Sequence, residues 1–219
     1  MSEPETGFDY AAERAYYTNP VTTVRPYEWA DRDMRTWVPN YPGVFAGKRI
    51  LDLGAGECLL TILIAERHRP RQIVALELIL HRLWGANSKK RELNSLDLIC
   101  GDCYKLPFSD ASFDIVFANG MLHHLPRLDS VAAEIRRVLR PGGLYIGREP
   151  NFRNPLVRWR VLGTAHRSKN EYALSAEEVV SAFGEHGLTA DFRYFWRRAP
   201  FVRHPRLAIS IAIYAIRSD

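Results

Sequence analysis

Cysteine is scarce in this sequence: three residues among 219, at no framework spacing. That argues against a disulfide-stapled scaffold and favours a reduced, cytoplasmic setting. Long apolar runs are missing too. No stretch of about 18 apolar residues occurs, so no membrane-spanning helix is expected. The first thirty residues, MSEPETGFDYAAERAYYTNPVTTVRPYEWA, carry acids and aromatics where a secretory leader would carry a basic flank and an apolar core. No internal repeat or low-complexity tract occurs. Residues 1–147 lack an excess of either charge, with 18 bases and 18 acids. The whole net charge of +5 lies in residues 148–219, where 12 bases face 7 acids and eleven of the bases are arginine. Such a segment is either a solvated surface or one that meets an acidic substrate, a lipid head group or nucleic acid.

What is present suits one domain with small additions, since 47% of the residues are hydrophobic and 25% charged. Residues 1–46 hold nine aromatics and read as a helical cap broken by Pro20, Pro26, Pro39 and Pro42. From residue 47 onward, strand and helix signals alternate. Strands are predicted at 49–54, 72–77, 96–100, 113–119 and 143–149. Helices are predicted near 59–68, 80–93 and 128–139, with RPGG as the turn before the fifth strand. Near-continuous apolar strands separated by helices indicate a parallel sheet covered on both faces. A helix over 175–187 opens on a Ser cap with acids in its first turn. Two strands then follow, 190–196 and 207–216, and their link is too short for a helical crossover. They are expected to form an antiparallel hairpin.

The turn in ILDLGAGEC, residues 50–58, follows the first strand. A phosphate-binding P-loop needs Lys and Ser/Thr after its last glycine, and GAGECLL has neither. A dinucleotide fingerprint needs a third glycine where Leu59 stands, which weakens that reading. A third ligand is S-adenosylmethionine. The order LDLGAGEC, Glu77 at the second strand end, GDCYKLPFSDASFDIVFANGMLHHLP (101–126) and IRRVLRPGGLYIG (135–147) resembles the class I methyltransferases. The likeness is greatest to their type 11, small-molecule branch.

That resemblance implies a Rossmann-like α/β fold: a seven-stranded, mostly parallel sheet with an antiparallel C-terminal hairpin and helices on both faces. Residues 47–219 would form the methyltransferase domain, with S-adenosyl-L-methionine as cofactor. It departs from the family at Cys58, where the motif's last glycine would stand. The cofactor would meet Asp52, Gly54, Ala55, Gly56, Glu77, Leu78, Asp102, Cys103, Asn119 and Gly120. Of these, Gly54 and Gly56 let backbone approach the ligand. Glu77 would accept both ribose hydroxyls, and Asp102 would meet the adenine amino group with the Cys103 amide beside it. Asp52 would orient the turn or meet the amino-acid end, and Asn119 and Gly120 would offer backbone to the ammonium. Glu57 either touches cofactor or merely suits a helix N-terminus. Cys100 and Cys103 form C-x-x-C, but the spacing belongs to the same family segment, and no metal is expected.

Methyl transfer from a sulfonium depends mostly on positioning and desolvation. A base is needed only where the acceptor must lose a proton. His123 and His124 are the candidate bases, although one His often packs or caps at such a place. Adjacent histidines are expected to point apart, which makes them poor joint metal ligands. Glu149 would bind a polar or cationic acceptor or pair with Arg148 or Arg153. Tyr16 and Tyr17, with Tyr27 and Trp29, would line the acceptor pocket or simply pack. The insertion 150–174 reads as a lid made basic by Arg153, Arg158, Arg160 and Arg167. A small organic or lipid-like acceptor is expected, at oxygen before nitrogen. A nucleic-acid or protein methyltransferase and a non-catalytic cofactor-binding scaffold are the rivals. Nucleic acid is not the expected partner, because NGML stands where base amino methylation needs Asn/Asp-Pro-Pro-Tyr/Phe.

Overall fold

The computed structural model describes residues 7–17, 27–163, 170–196 and 204–219. Seven strands form one sheet: β1 (Arg49–Leu53), β2 (Gln72–Glu77), β3 (Leu96–Cys100), β4 (Phe113–Asn119), β5 (Leu139–Pro150), β6 (Leu188–Phe195) and β7 (Ser210–Arg217). Their spatial order is β3-β2-β1-β4-β5-β7-β6. The first five are parallel, and β7 runs antiparallel between β5 and β6. The seven-stranded, mostly parallel sheet and its antiparallel ending are as expected. The order reverses between β1 and β4, which opens a crevice beyond their carboxyl ends.

Strands β1, β2 and β4 are buried on both faces, which is why they read as unbroken apolar runs. Alternation still sorts their side chains. Leu51, Leu53, Val74, Leu76 and Val116 join one core, whereas Ile50, Ile73, Ala75, Ile115 and Phe117 join the other. Helix α5 (Leu128–Val138) covers the first face by burying Val131, Ala132, Ile135 and Val138 at helical spacing. Helix α7 (Ala176–Glu185) joins it, started by a capping box between Ser175 and Glu178. Helix α3 (Leu59–Arg67) covers the second face. The described N-terminal residues divide between the cores. Phe8 and Tyr10, at helix α1 (Tyr10–Tyr16), pack into the first. Met34, on helix α2 (Tyr27–Met34), packs into the second with Trp37 and Phe45. Trp37 stacks on Phe117 with ring centroids 5.4 Å apart. Burial of a ring such as Phe117 contributes about 1.5–3 kcal/mol.

Two expectations are corrected. The predicted helix over 80–93 is a 3-10 stretch, Leu80–Ala86, followed by a short helix α4 (Asn87–Glu92) that buries nothing. Gly85 weakens it, Leu80 and Trp84 face solvent, and only Leu83 and Ala86 dock on the second core. Strand β5 begins at Leu139 rather than after RPGG. Leu139 pairs with Phe113, the register shifts, and Gly142 absorbs the irregularity at φ +70°. Helix α6 (Pro155–Leu162) occupies the expected insertion, capped by Asn154. Arg167 and Phe201 lie outside the described residues. Among the described residues no helix is long and apolar enough to cross a membrane.

Candidate functional site

The glycine turn is fastened from two sides. The amides of Gly54 and Ala55 both donate to the Leu76 carbonyl at the end of β2, at 2.9 and 3.0 Å. The Gly56 amide donates to Glu77 Oε2 at 2.8 Å, and Ile79 N donates to Oε1 at 3.1 Å. Glu77 is therefore buried and already organises the turn. Each carboxylate oxygen keeps a second lone pair for a ribose hydroxyl. A Cβ on Gly54, at φ +72°, would stand 2.5 Å from Met121 Cγ. The space that glycine leaves here is taken by Met121, which lines the same cavity. Cys58 adopts φ +61° at the N-terminus of α3, a left-handed conformation that glycine would take without strain. Its buried thiol is pushed up to about 12, first by desolvation and then by Asp52.

Asp52 sits behind the turn and accepts the Thr61 hydroxyl at 2.5 Å, tying β1 to α3. Burial pushes its carboxyl up to about 7; Thr61 opposes this and Glu77 adds to it. At the third strand end, Asp102 is held by two partners. Tyr10 donates to Oδ2 at 2.7 Å and the Tyr104 amide donates to Oδ1 at 2.8 Å. Burial and Asp102 drive the neighbouring Cys103 thiol upward. Cys58, Cys100 and Cys103 are all free.

Three cavities follow one another along the carboxyl edge of the sheet. The first, about 90 Å³, is lined by Tyr17, Glu77, Leu78, Asp102, Cys103 and His124, among others. The second, about 360 Å³, lies over the glycine turn, with Asp52, Gly54, Ala55, Gly56 and Glu57 in its wall. Tyr17, Gly54, Arg82 and Gly120 belong to both. The third is a groove of about 660 Å³ between Trp29, Asp33 and Arg148 on one side and α6 on the other. Asn119, Gly120 and Arg148 join it to the second. Asn119 Oδ1 is buried at this junction with no hydrogen-bond partner among the described residues. The Gly120 amide, by contrast, is spent on the Arg148 carbonyl at 2.7 Å.

After β4 a 3-10 turn, Leu122–His124, is built on Glu149. That carboxylate, 2% exposed, accepts the amides of Met121 and Leu122 and contacts His123 Nδ1 at 2.6 Å. The expected pairing of Glu149 with Arg148 or Arg153 is thus corrected: Arg148 pairs with Asp33, and Arg153 pairs with Glu177 at 3.0 Å. Because the turn is tight, the two imidazoles lie side by side with centroids 4.3 Å apart. They do not point apart, as the sequence suggested. His124 Nδ1 lies 3.2 Å from Glu13 Oε1, at ion-pair distance but without hydrogen-bond alignment. Its Nε2 lies 3.4 Å from the Tyr17 hydroxyl. Asn170 clasps α1 through Asp9 and Glu13, and Tyr172 N donates to the His123 carbonyl at 2.8 Å. Among the described residues, His123, His124 and Glu171 form a group whose ligating atoms all lie within 4.8 Å.

The other expected residues separate. Tyr16 faces solvent with its ring edge-on to Tyr17. Arg153 is exposed, and the cavity beside it is lined by His204, Pro205 and Arg206, away from the glycine turn. Sequence reading missed Arg82, whose guanidinium lies 4.2 Å over the Tyr17 ring and 3.9 Å from Glu77. No motif marks it; only its place after β2 gave a signal. It also missed Tyr10, Glu13 and Thr61, which act through residues far from them in sequence.

This geometry is that of a class I methyltransferase site, with a glycine turn, an acid closing β2 and a second acid after β3. Residues 51–147 match the type 11 family profile described as a methyltransferase domain. These residues thus form a methyltransferase domain of the class I, S-adenosylmethionine-dependent type. A malonyl-[acyl-carrier protein] O-methyltransferase from Xylella fastidiosa is 34% identical over 62% of this chain and 45% of its own length. A 24-methylenesterol C-methyltransferase 2 from Oryza sativa is 30% identical over 65% and 40%. A fatty-acid O-methyltransferase from Mycolicibacterium smegmatis is 34% identical over 52% and 41%. The chain thus spans less than half the length of these curated relatives. An S-adenosylmethionine-dependent methyltransferase structure from Mesorhizobium loti superimposes with a TM-score of 0.66, at 18% identity, over 88% of this chain and 98% of that one. At that identity the likeness establishes the fold.

The implied cofactor is S-adenosylmethionine, and the residues present fit it. No phosphate-binding lysine is needed for a ligand without phosphates. Glu77 retains acceptor capacity for ribose, and the unpartnered Asn119 Oδ1 suits an ammonium donor.

Proposed function

We propose that the chain transfers a methyl group from S-adenosylmethionine to a small organic or lipid-like acceptor, at oxygen first and nitrogen second. The observation that carries this reading is the meeting of the cofactor-side cavities and the groove at Asn119, Gly120 and Arg148. A donor and an acceptor held on either side of that junction would be aligned for in-line displacement. The groove mixes Trp29, Leu156, Val157, Val161 and Ile209 with a few polar groups, which suits an amphipathic acceptor. The curated relatives named above act on acyl and sterol acceptors by their names, which supports the lipid-like class. The three free cysteines suit a reducing cytoplasm.

Bound S-adenosylmethionine supplies an electrophilic methyl group on a cationic sulfur. The chain does the rest. Glu77 and Asp102 hold the nucleoside, and Asn119 orients the amino-acid end. His124 Nε2 takes the hydroxyl proton of an acceptor that reaches from the groove past Gly120 into the cavity that His124 lines, once the Tyr17 hydroxyl yields its place. Glu13 beside Nδ1 stabilises the imidazolium that results. His123, held by Glu149, is a positioning residue that fixes the turn carrying His124. Phe8, Glu13 and Tyr17 cap the cofactor side, and helix α6 flanks the acceptor groove.

The test is transfer of labelled methyl to a panel of fatty acids, sterols, quinols and small amines, with RNA and DNA beside them. Labelling of a lipid-like member supports the reading. Labelling of nucleic acid alone moves it to the nucleic-acid rival. Cofactor binding without any transfer, across acceptors delivered in detergent and in vesicles, favours the scaffold. Chelation should leave turnover unchanged. A loss restored by a divalent cation would assign His123, His124 and Glu171 to a metal instead.

A further inference from the structure

Helix α6, like α4, buries no residue completely. One side of it lines the groove through Val157 and Val161. Leu156, at the rim of the groove, is 67% exposed, and Trp159, which does not line it, is 66% exposed. Leu207 is 60% exposed beside the start of the helix, where its carbonyl accepts Asn154 Nδ2 at 3.1 Å. Large apolar side chains are costly to leave in water, and three at one end of one helix call for a partner.

Charge indicates which partner. The helix, PLVRWRVL, carries Arg158 and Arg160 and no acid, and neither arginine has a carboxylate partner among the described residues. Arg206 is exposed next to Leu207. The contrast with the other exposed apolar pair is informative. Leu80 and Trp84 also face solvent, but nearby Lys89 is paired with Glu66 and Glu92, and Lys90 with Asp97. On α6 neither arginine has such a partner among the described residues. Exposed Trp and Leu with such arginines among them suit the head-group region of an anionic bilayer, with the guanidinium groups kept at the surface.

We infer that α6 docks the protein on an anionic lipid surface through Leu156, Trp159 and Leu207 with Arg158 and Arg206 around them. The groove then opens beside the bilayer, since Leu156, Val157, Arg160 and Val161 belong to the same helix. Only this last step rests on the lipid-like acceptor reading; docking itself needs no methyl transfer. The helix is short, so binding is weak and depends on lipid charge.

The experiment is sedimentation of the full chain with phosphatidylcholine vesicles containing about 30% phosphatidylserine, against phosphatidylcholine alone. The protein should sediment with the anionic vesicles only and be released at about 0.5 M salt. Arg158→Gln should weaken binding about fivefold, the equivalent of about 1 kcal/mol for one base near such a surface. Trp159→Ala should weaken it further. Both positions are exposed, so calorimetric cofactor binding and methylation of detergent-dispersed acceptor should persist. Equal sedimentation with neutral vesicles, none with either, or unchanged binding by both variants would overturn the proposal. So would binding to a purified acidic carrier protein in place of vesicles, which would give the face to a protein. Failure of the function reading looks different: vesicles bound normally, with no acceptor methylated.

Discussion

The glycine turn and the histidine turn lie at the ends of neighbouring strands, β1 and β4, but are held in different ways. The glycine turn is fastened by residues within about one strand–helix–strand repeat: Leu76 and Glu77 grip Gly54, Ala55 and Gly56. The histidine turn is fastened from afar. Glu149 comes from β5, Glu13 from α1, and Tyr172 from near the end of the insertion. A ligand shared by a whole family can be met by a short, repeatable motif. An acceptor particular to one protein is met by whatever distant segments the fold brings to the same edge. Cofactor binding and acceptor chemistry should therefore respond separately to mutation.

The largest effect should come from the histidine turn. His124→Ala should lower kcat by about a hundredfold or more on a hydroxyl acceptor, the usual scale for a general base. Calorimetric cofactor affinity should fall by much less than the rate, although His124 lines the cavity of Glu77 and Asp102. His123→Ala should cost less and act through loosening of the turn. If both variants lost cofactor affinity in step with rate, the two regions would be one unit.

On the glycine side, Gly54→Ala should be the most damaging change. The new Cβ meets Met121 Cγ at 2.5 Å in a left-handed conformation. Overpacking and backbone strain together should remove about 2–4 kcal/mol of stability, read from urea unfolding. Met121→Ala beside it should recover part of the loss by making room.

Glu77→Ala should weaken S-adenosylmethionine by about 1.5–3 kcal/mol, the range for hydrogen bonds to a charged group. It should also destabilise the chain by about 1–3 kcal/mol, because the buried Gly56 amide loses its acceptor. That second effect separates a turn-organising acid from a simple ribose hook. Glu77→Gln keeps an acceptor, so it should recover more of the stability than of the affinity.

The smallest effect concerns Asp52. Its carboxyl is raised from 3.8 to about 7 by burial, so the folded chain holds this proton more tightly than the unfolded chain does. The stability this residue contributes is fully present below about pH 3.8 and is lost as pH rises through about 7. Asp52→Asn should flatten that part of the pH profile of unfolding. A cationic ligand beside the turn should favour the ionised form and release a proton. Calorimetry in two buffers of different ionisation heat near pH 6.5 should detect it. Identical heats would mean that Asp52 does not sense the ligand's charge.

Sequence alone determined the sheet and the cofactor end, because both rest on local rules. Apolar strands of five to seven residues, glycines where left-handed turns are needed and acids at strand ends are visible within a few residues of one another. It also located the basic C-terminal third. Tertiary structure decided the remainder. The Leu80–Ala86 stretch winds as a 3-10 segment that docks only Leu83 and Ala86, and RPGG joined β5 because Phe113 was there to pair with Leu139. Glu149 looked like a free acid in GREPN, but folding buried it beneath Met121 and Leu122 and gave it His123. Asp102 looked ready for a ligand, but Tyr10, 92 positions earlier, also reaches it. A buried carboxylate must find donors wherever the fold supplies them, and those partners are set by which strands and helices meet, a long-range property that no window of sequence contains.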